Sequence, residues 1–405
     1  MDFGVTSTTS TSLSQGKTLV LCFDGTSNRY SKMNTNVVKI YSYLVKDTDS
    51  QVMYYQPGVG TYLQPGAVSP FFQWGAKILD QAVAWFLDDH VRGGYTFLMQ
   101  NWRLGDKICI FGFSRGAYTA RALAGLIHKV GLLPKDNPEQ VPMAYKLYKN
   151  KNPSGDELAE GFKTTYCRTV SIDFIGVWDT VESVGLLRKK TLPFSSSNAA
   201  IKVFRHALSL DDRRAKFRPT LYHRSSPNAK DKSHNSLFGQ YASTNTSRVS
   251  KPSLEGDVRE VWFAGCHSDV GGGSTLSTAY PALSNVSLYW MIREAVGAQC
   301  GILFRNDILA MAQAAQGATD PDALETLHDP LKENALWWLL ECVPTPYMYQ
   351  DANRQWQRKW GFNWGRGRHI QEEKPLFHES VKYRMYMREY KPSAIWREYN
   401  EEYVW

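Results

Sequence analysis

Several classes of protein are excluded by patterns that the sequence lacks. Its six cysteines are scattered and form no C-x-x-C pair, which argues against a disulfide framework or a zinc site. No run approaches the roughly 18 apolar residues that span a bilayer, and the longest apolar cluster, residues 335–340, ends at Glu341. Residues 1–16 lack the basic and apolar regions of a signal peptide and predict a Ser/Thr-rich disordered tail. We therefore expect a soluble protein, cytoplasmic by default, with a peripheral place at membranes as the alternative.

Cofactor motifs are lacking as well. Gly16-Lys17-Thr18 resembles the end of a phosphate-binding loop, but position 11 holds Thr where that loop needs Gly, and a strand follows it instead of preceding it. Gly58-Val59-Gly60 lacks the third glycine of a dinucleotide-binding fingerprint. The zinc-protease pattern H-E-x-x-H and the known nucleic-acid modules do not occur. The sequence predicts no cofactor, no metal and no nucleic-acid partner.

The composition is that of a globular protein. Of 405 residues, 43% are hydrophobic and 21% are charged, and 13 are Trp, which provides for one large core or two smaller ones. The 30 Gly and 18 Pro argue against a coiled coil. The net charge of +8 leaves an anionic partner open.

Short apolar runs alternate with helical patterns over the first 300 residues. Five of these runs are strand candidates: 18–23, 52–55, 107–113, 170–178 and 258–264. The alternation predicts an α/β fold, with a mostly parallel sheet and helices on both faces, over residues 17–300. Residues 185–251 contain Ser/Asn/Pro-rich stretches and predict an irregular, basic, lid-like insertion, in which only residues 201–210 show a periodicity, taken here as helical. Residues 301–405 predict a helical, aromatic-rich region that packs on this domain.

The most informative motif is Gly112-Phe113-Ser114-Arg115-Gly116, which has G-x-S-x-G spacing. A buried strand precedes it and a helix rich in small residues follows it. In this context the serine lies at the apex of a tight strand-to-helix turn, and Gly112 and Gly116 avoid clashes on either side. The motif predicts a nucleophilic Ser114.

A nucleophilic serine needs a base and an acid, which in this architecture follow it in the order Ser, acid, His. Of nine histidines, His267 alone directly follows a predicted strand and precedes a glycine-rich turn, Val270-Gly271-Gly272-Gly273. The best acid is Asp179, because it ends the strand 170–178 and therefore lies at the same sheet edge. Its rivals are Asp173, Glu182, Asp211 and Asp269.

Backbone amides complete the predicted site. The loop after the first strand, Asp24-Gly25-Thr26, predicts one oxyanion donor at Gly25 or Thr26, and Arg115 predicts the other. A different possibility is that Asp24 and Asp269 support the site as a carboxylate pair that holds a divalent cation. That alternative would make the protein a metal-dependent hydrolase.

With these motifs placed, the chain resembles an α/β-hydrolase domain family of unknown function, found in fungi and bacteria, that includes the first class of type VI secretion lipase effectors. Five ordered blocks carry the resemblance: LCFDGTSN (21–28), FGFSRGAYTARALAG (111–125), FIGVWDTV (174–181), HALSLDDRRAKFRP (206–219) and FAGCHSDVGGG (263–273). The resemblance implies a Ser-Asp-His triad that maps to Ser114, Asp179 and His267. Because characterised bacterial members are phospholipases, it also implies a phospholipid substrate by analogy.

The sequence therefore predicts a serine esterase or lipase that acts through an acyl-enzyme on an ester or lipid substrate. One alternative is a hydrolase of small soluble esters, thioesters or amides. Another is a non-catalytic binding protein that retains the fold. The oligomeric state is not predicted.

The positive charge is concentrated in the predicted insertion. Residues 185–251 hold 14 Lys and Arg against 3 acidic residues, a net charge of +11, whereas the remainder of the chain has a net charge of −3. This distribution favours either a basic lid that meets an anionic membrane surface or a solvated flexible loop. Residues 188–190 (Arg-Lys-Lys) are the strongest candidates for such a contact.

Overall fold

The computed structural model of the chain describes residues 16–25, 30–58, 72–181, 192–193, 198–222, 256–315, 321–350 and 356–405. Within these ranges, eight strands form one sheet and two more form a hairpin. The strands are β1 (Thr18–Phe23), β2 (Gln51–Gln56), β3 (Lys107–Phe113), β4 (Ile172–Trp178), β5 (Ile201–Ser209), β6 (Asp257–Phe263), β7 (Thr345–Gln350), β8 (Trp356–Gly361), β9 (Leu376–His378) and β10 (Glu402–Val404).

The eight-stranded sheet has the order β2-β1-β3-β4-β5-β6-β9-β10, and every neighbouring pair is parallel. Strands β7 and β8 form a separate antiparallel pair. The predicted mostly parallel sheet is confirmed. The predicted tail lies outside the described residues, apart from Gly16.

Helices pack on both faces of this sheet, as predicted. They are α1 (Asn36–Tyr43), α2 (Phe72–Asn101), α3 (Arg115–Val130), α4 (Val141–Lys149), α5 (Pro153–Tyr166), α6 (His267–Gly271), α7 (Ser284–Gly297), α8 (Asn306–Ala314), α9 (Pro330–Glu333), α10 (Leu336–Glu341) and α11 (Glu379–Arg388). Short 3-10 turns occur at Pro138–Gln140, Ala215–Phe217 and Pro321–Leu324.

Strand β3 shows why the sheet is buried on both sides. Ile108 and Ile110 pack in one core with helices α2 to α5, whereas Phe111 and Phe113 pack in a second core with α1, α7 and α8. A strand between two helical layers is apolar at consecutive positions, which produces the unbroken run KICIFGF.

The range predicted as an irregular insertion is corrected by strand β5, which lies inside 185–251 and in the middle of the sheet. Its apolar pattern is interrupted by two polar residues that are nevertheless buried. Arg205 forms an ion pair with Glu294, and His206 Nδ1 lies 2.8 Å from Glu260. Residues 201–209 are therefore a buried central strand and not the helical stretch predicted there, and both neutralising partners come from distant segments. Much of the remaining insertion, including residues 188–190, lies outside the described residues, so the lid remains a prediction.

The C-terminal region differs from its prediction in a second way. It contains helices, but β9 and β10 extend the main sheet beyond β6, so the sheet does not end at residue 300. These strands are only three residues long, too short to produce a periodic pattern. Phe377 of β9 is fully buried and packs in a third apolar cluster with Trp262 of β6.

Within the described part of the chain, no helix combines the length and apolar character that crossing a bilayer requires.

Candidate active site

A single residue, Ser114, joins the end of β3 to the start of α3. Its backbone has φ 57° and ψ −120°, a conformation that is strained for any residue other than glycine. Neighbouring backbone holds it there: Ser114 N–H donates to Trp178 O at 3.0 Å, and Ser114 O accepts from Val181 N at 3.3 Å. The turn therefore projects the serine from the end of the strand, with its backbone hydrogen-bonded to the residues at the end of β4 and just beyond it.

Both glycines of the motif are required by close backbone packing. A Cβ on Gly112 would lie 2.6 Å from the carbonyl oxygen of Gly116, and a Cβ on Gly116 would lie 2.2 Å from the carbonyl oxygen of Phe23. Neither contact can be relieved by a side-chain rotation, because the opposing atoms are backbone. Glycine at these positions lets the turn seat against the end of β1.

The turn lies where the chain order of the sheet reverses. Strand β1 has β2 on one side and β3 on the other, so successive connections run in opposite directions from it. In open parallel sheets this arrangement leaves a crevice beyond the carboxyl ends of the two central strands, where ligands bind. Ser114 lies at this edge and is 6% exposed.

The predicted acid and base meet at the same edge. Asp179 directly follows β4, and His267 is the first residue of α6, shortly after β6. His267 Nδ1 lies 2.5 Å from Asp179 Oδ2, and both side chains are buried. This contact leaves Nε2 as the ring nitrogen that can exchange a proton with a substrate or nucleophile.

A third side chain binds the same carboxylate. The two terminal nitrogens of Arg368 lie 2.6 and 2.9 Å from the two oxygens of Asp179, a bidentate pair. Arg368 also donates to the backbone carbonyls of Ser209 and Phe217. Burial alone would raise the pKa of Asp179, but the charge of Arg368 and the hydrogen bonds from His267 and Arg368 outweigh it and hold that pKa far below its usual value. The carboxylate therefore stays ionised.

Sequence reasoning missed Arg368. It lies in the stretch 354–368, where cations alternate with aromatics, and no spacing relates it to an aspartate 189 positions earlier. Only the fold brings the two side chains together, so no local signal identified this residue.

Aromatic rings surround the imidazole of His267. The ring of Phe113 lies 4.6 Å away and that of Phe217 lies 4.9 Å away, centroid to centroid. Trp337 packs edge-on against Phe217 at 5.6 Å. The His267 backbone N–H donates to Asp212 at 3.2 Å. These contacts fix the ring and screen it from water on several sides.

Among the hydrogen bonds of the described residues, none joins the Ser114 hydroxyl to His267. The two are connected through Phe113, which precedes the serine and packs on the imidazole. Hydrogen bonds between a nucleophile and its base are often long without substrate and shorten when it binds. The structure thus brings the acid and base into direct contact and places the serine beside them.

The predicted oxyanion donors differ in availability. The Gly25 N–H donates to Asp24 Oδ1 at 2.7 Å, so the prediction for Gly25 is corrected: the adjacent carboxylate occupies this amide. Thr26 lies outside the described residues. Arg115 is the first residue of α3, where a backbone N–H has no acceptor within the helix. Its amide is part of the positive end of the helix dipole and is available to an anion.

Asp24 is buried within its own set of donors. Besides Gly25, Thr35 Oγ1 donates to it at 2.8 Å and Tyr55 OH at 2.9 Å. Burial raises the pKa of Asp24 to about 6 even though these three hydrogen bonds oppose the shift. The carboxylate is therefore a structural element that holds the end of β1 to its neighbours.

Asp269, the proposed partner of Asp24, binds a different group. It accepts from the backbone N–H of Cys266 at 2.9 Å and of His328 at 3.0 Å, and lies 2.8 Å from His328 Nδ1. In the ranges that the structure describes, no group of three or more His, Cys, Asp or Glu is arranged to hold a metal ion. The structure thus gives the cation-binding alternative no further ligand.

The rival acids have other partners. Asp173 lies near the start of β4, at the opposite sheet edge from Asp179, and binds Lys202 at 2.7 Å. Asp211 accepts from Tyr390. Glu182 lies outside the described residues. Among the described candidates, Asp179 is the carboxylate in contact with His267.

Known proteins resemble the chain at several levels. A family model described as the catalytic domain of Tle1-like phospholipase effectors of the type VI secretion system matches residues 17–294. The uncharacterized protein YEL023C of Saccharomyces cerevisiae is 40% identical over 221 residues, which cover 51% of this chain and 32% of that protein, so the chain spans only a minor part of this relative.

Two solved structures also match. One is the crystal structure of an uncharacterized protein from Pseudomonas aeruginosa, with 18% identity and a TM-score of 0.39, covering 75% of this chain and 51% of that one. The other is the Tle1 effector bound to the VgrG spike from the type VI secretion system, with 16% identity and a TM-score of 0.34, covering 65% of this chain and 52% of that one.

Proposed function

Because the chain belongs to the family of Tle1-like phospholipase effector catalytic domains of the type VI secretion system, we propose that it is a serine hydrolase that cleaves carboxylic ester bonds of phospholipids. The observation that carries the proposal is the 2.5 Å contact between His267 Nδ1 and Asp179 beside the strained turn at Ser114. A buried acid–base pair next to a serine at the carboxyl end of a parallel strand is the arrangement that nucleophilic ester hydrolysis needs.

In the proposed reaction, Ser114 Oγ attacks the ester carbonyl carbon while His267 Nε2 takes its proton. The tetrahedral intermediate collapses, the C–O bond to the leaving alcohol breaks, and His267 returns the proton to that alcohol. Water then attacks the acyl-enzyme with His267 again acting as base, which releases the fatty acid and regenerates Ser114. Asp179 orients the imidazole and stabilises the imidazolium throughout.

The negative charge that develops on the carbonyl oxygen needs donors fixed in advance. The backbone N–H of Arg115 and the N-terminus of α3 are the donors that the described residues support. Gly25 is not proposed for this role, since its amide is bound to Asp24.

The family supports phospholipid over a small soluble ester, because its model describes the catalytic domain of phospholipase effectors and the match includes Ser114, Asp179 and His267. Acyl-chain and headgroup preference are not part of the proposal. A comparison of soluble short-chain esters with phospholipid vesicles measures this choice: a phospholipase should prefer the vesicles, and a preference for the soluble esters would favour the alternative substrate class.

Fluorophosphonate labelling tests the nucleophile. The unmodified protein should be labelled, and the modified peptide should contain Ser114. The variant Ser114→Ala should not react, whereas the matched control Ser42→Ala, on helix α1, should react normally. Equal labelling of all three proteins, or of none, would contradict the proposal, and the second result would favour a non-catalytic binding protein.

A further inference from the structure

A surface beside the candidate site exposes seven large apolar side chains on α10 and the segments around it. Their exposed fractions range from 40% to 69%. We call this surface the apolar platform; it consists of Leu336, Trp338, Leu339, Val343, Trp360, Phe362 and Trp364. Phe362 and Trp364 are in ring contact at 5.4 Å, and the Trp338 ring packs against Gly365, so the two segments lie together. Single exposed apolar residues are normal, but a set on adjoining segments marks an interaction surface.

A buried carboxylate holds the platform in place. Glu341, at the end of α10, is fully buried. One of its oxygens accepts from the Ala215 backbone N–H at 2.7 Å, and the other accepts from Asn363 Nδ2 at 2.7 Å and from the Gly365 N–H at 3.2 Å. One side chain thus ties α10, the turn at 215 and the loop at 363–365 into a single unit. The apolar side chains are presented on a fixed support.

The platform adjoins the candidate active site. Trp337 lies between two platform residues on α10 but turns toward the protein and packs on Phe217, which in turn packs on His267. Only two ring contacts therefore separate α10 from the catalytic imidazole. A ligand that covers the platform would lie within two side chains of His267.

The charge of this surface also indicates its partner. The segments 334–350 and 356–370 contain one acidic residue, the buried Glu341. Arg366 is exposed within the second segment, and its side chain has no partner in the described part of the chain. Residues 330–370 as a whole hold six basic and three acidic residues, of which Glu333 is exposed. Exposed Trp and Leu beside an unpaired Arg, in a stretch with an excess of basic residues, are the composition that binds at the interface of an anionic lipid surface.

We propose that the apolar platform docks the protein on a phospholipid bilayer that contains anionic lipid, and so delivers lipid to Ser114. The inference rests on the proposed function for its substrate. It differs from the predicted basic lid, because it assigns the lipid contact to residues 336–364.

Vesicle binding tests the platform in a protein that cannot consume the lipid. Ser114→Ala protein is sedimented with phosphatidylcholine vesicles that contain phosphatidylserine. Adding Leu336→Ser and Leu339→Ser should weaken binding at least about tenfold, because two side chains lose apolar burial. The matched control adds Leu104→Ser and Leu158→Ser, which are 93% and 62% exposed elsewhere on the surface and should bind like the parent. Thermal unfolding of both variants establishes that each is folded.

A second variant tests the charge. Arg366→Gln should weaken binding to vesicles with phosphatidylserine and leave binding to pure phosphatidylcholine vesicles nearly unchanged. The inference is overturned if the variant with Leu336→Ser and Leu339→Ser and the variant with Arg366→Gln both bind vesicles with phosphatidylserine as tightly as the parent.

The inference and the proposed function fail in distinguishable ways. If the unmodified protein hydrolyses soluble esters but does not bind vesicles, the platform is wrong and the hydrolase stands. If it binds vesicles through Leu336 and Leu339 but neither hydrolyses esters nor reacts with fluorophosphonate, the platform stands and the hydrolase is wrong.

Discussion

The family-matched region (residues 17–294) and the region after it (residues 301–405) contribute different parts of the candidate site. The first contains all three proposed catalytic side chains and both glycines of the turn. The second contributes Arg368, which binds the acid, and Trp337, which packs on Phe217 beside the base. Reactive groups thus lie in the family domain, and the charge and surroundings of those groups depend on the chain that follows it.

The largest effect should come from the acid in the first region. Asp179→Asn should lower kcat on an ester substrate by roughly 10⁴-fold, because the amide no longer holds His267 in the required tautomer. The matched control is Asp173→Asn. Asp173 lies near the start of β4, at the opposite sheet edge from Asp179, so this variant should keep kcat within a few-fold of the parent. Similar losses in both variants would mean that Asp179 is not special to the reaction.

The next largest effect should come from Arg368, in the second region. Arg368→Gln leaves Asp179 buried without its counter-ion, and removing one partner of a buried ion pair typically costs about 3–5 kcal/mol of stability. Arg388→Gln, an exposed arginine without a partner among the described residues, serves as control and should show no such loss. Chemical denaturation measures both.

The pH dependence of the same variant separates charge from packing. In the parent, Arg368 depresses the pKa of Asp179, so the stability from this group is present above the unfolded pKa and is lost only as pH falls through the folded one. In Arg368→Gln that folded pKa rises, so both stability and activity should begin to fall at higher pH on the acid side. If stability and activity fall at the same acidic pH in the parent and in Arg368→Gln, Arg368 acts by packing alone.

A buried carboxylate of the first region should show the opposite sign. The folded pKa of Asp24 is raised to about 6, so folding favours its protonated form. The contribution of this group to stability therefore falls as pH rises from about 4 through 6. Asp24→Asn should remove up to about 3 kcal/mol of that pH dependence, whereas the exposed control Asp47→Asn should retain it. Thermal unfolding of the parent and of both variants between pH 4 and 7 measures this; a stability difference between parent and Asp24→Asn that does not change across the window would contradict the assignment.

The smallest effect should come from Trp337, which packs on Phe217 beside the His267 ring. Trp337→Leu removes a ring contact worth about 0.5–1.5 kcal/mol, and the base should lose part of its orientation. We expect a several-fold fall in kcat with soluble esters. The control Trp405→Leu, which alters a ring contact with His378 away from the site, should not lower kcat.

The sequence was most informative where local pattern and topology agree. Unbroken apolar runs identified β1, β3, β4 and β6, and residues that directly follow such strands must meet at one sheet edge. That rule selected Asp179 and His267 from many acids and histidines, and the two are in contact. Their catalytic roles remain a proposal.

Other features could not be found in this way, because their causes are not local. Strand β5 was missed because Arg205 and His206 look like surface residues until Glu294 and Glu260 neutralise them in the fold. Arg368 was missed for the same reason. The Gly25 amide was assigned to an oxyanion because strand-end loops supply such donors, but the preceding Asp24 carboxylate competes for it at 2.7 Å.

The ion pair between Arg368 and Asp179 also sets an order of events during synthesis. A nascent chain that has reached residue 300 already contains the serine, the acid and the histidine, yet it lacks the cation that neutralises the buried acid. The acid can therefore settle in its final environment only after residue 368 has been made. A product that terminates early, or a protein cut between 300 and 368, would carry every reactive group of the proposed site and still lack its working charge.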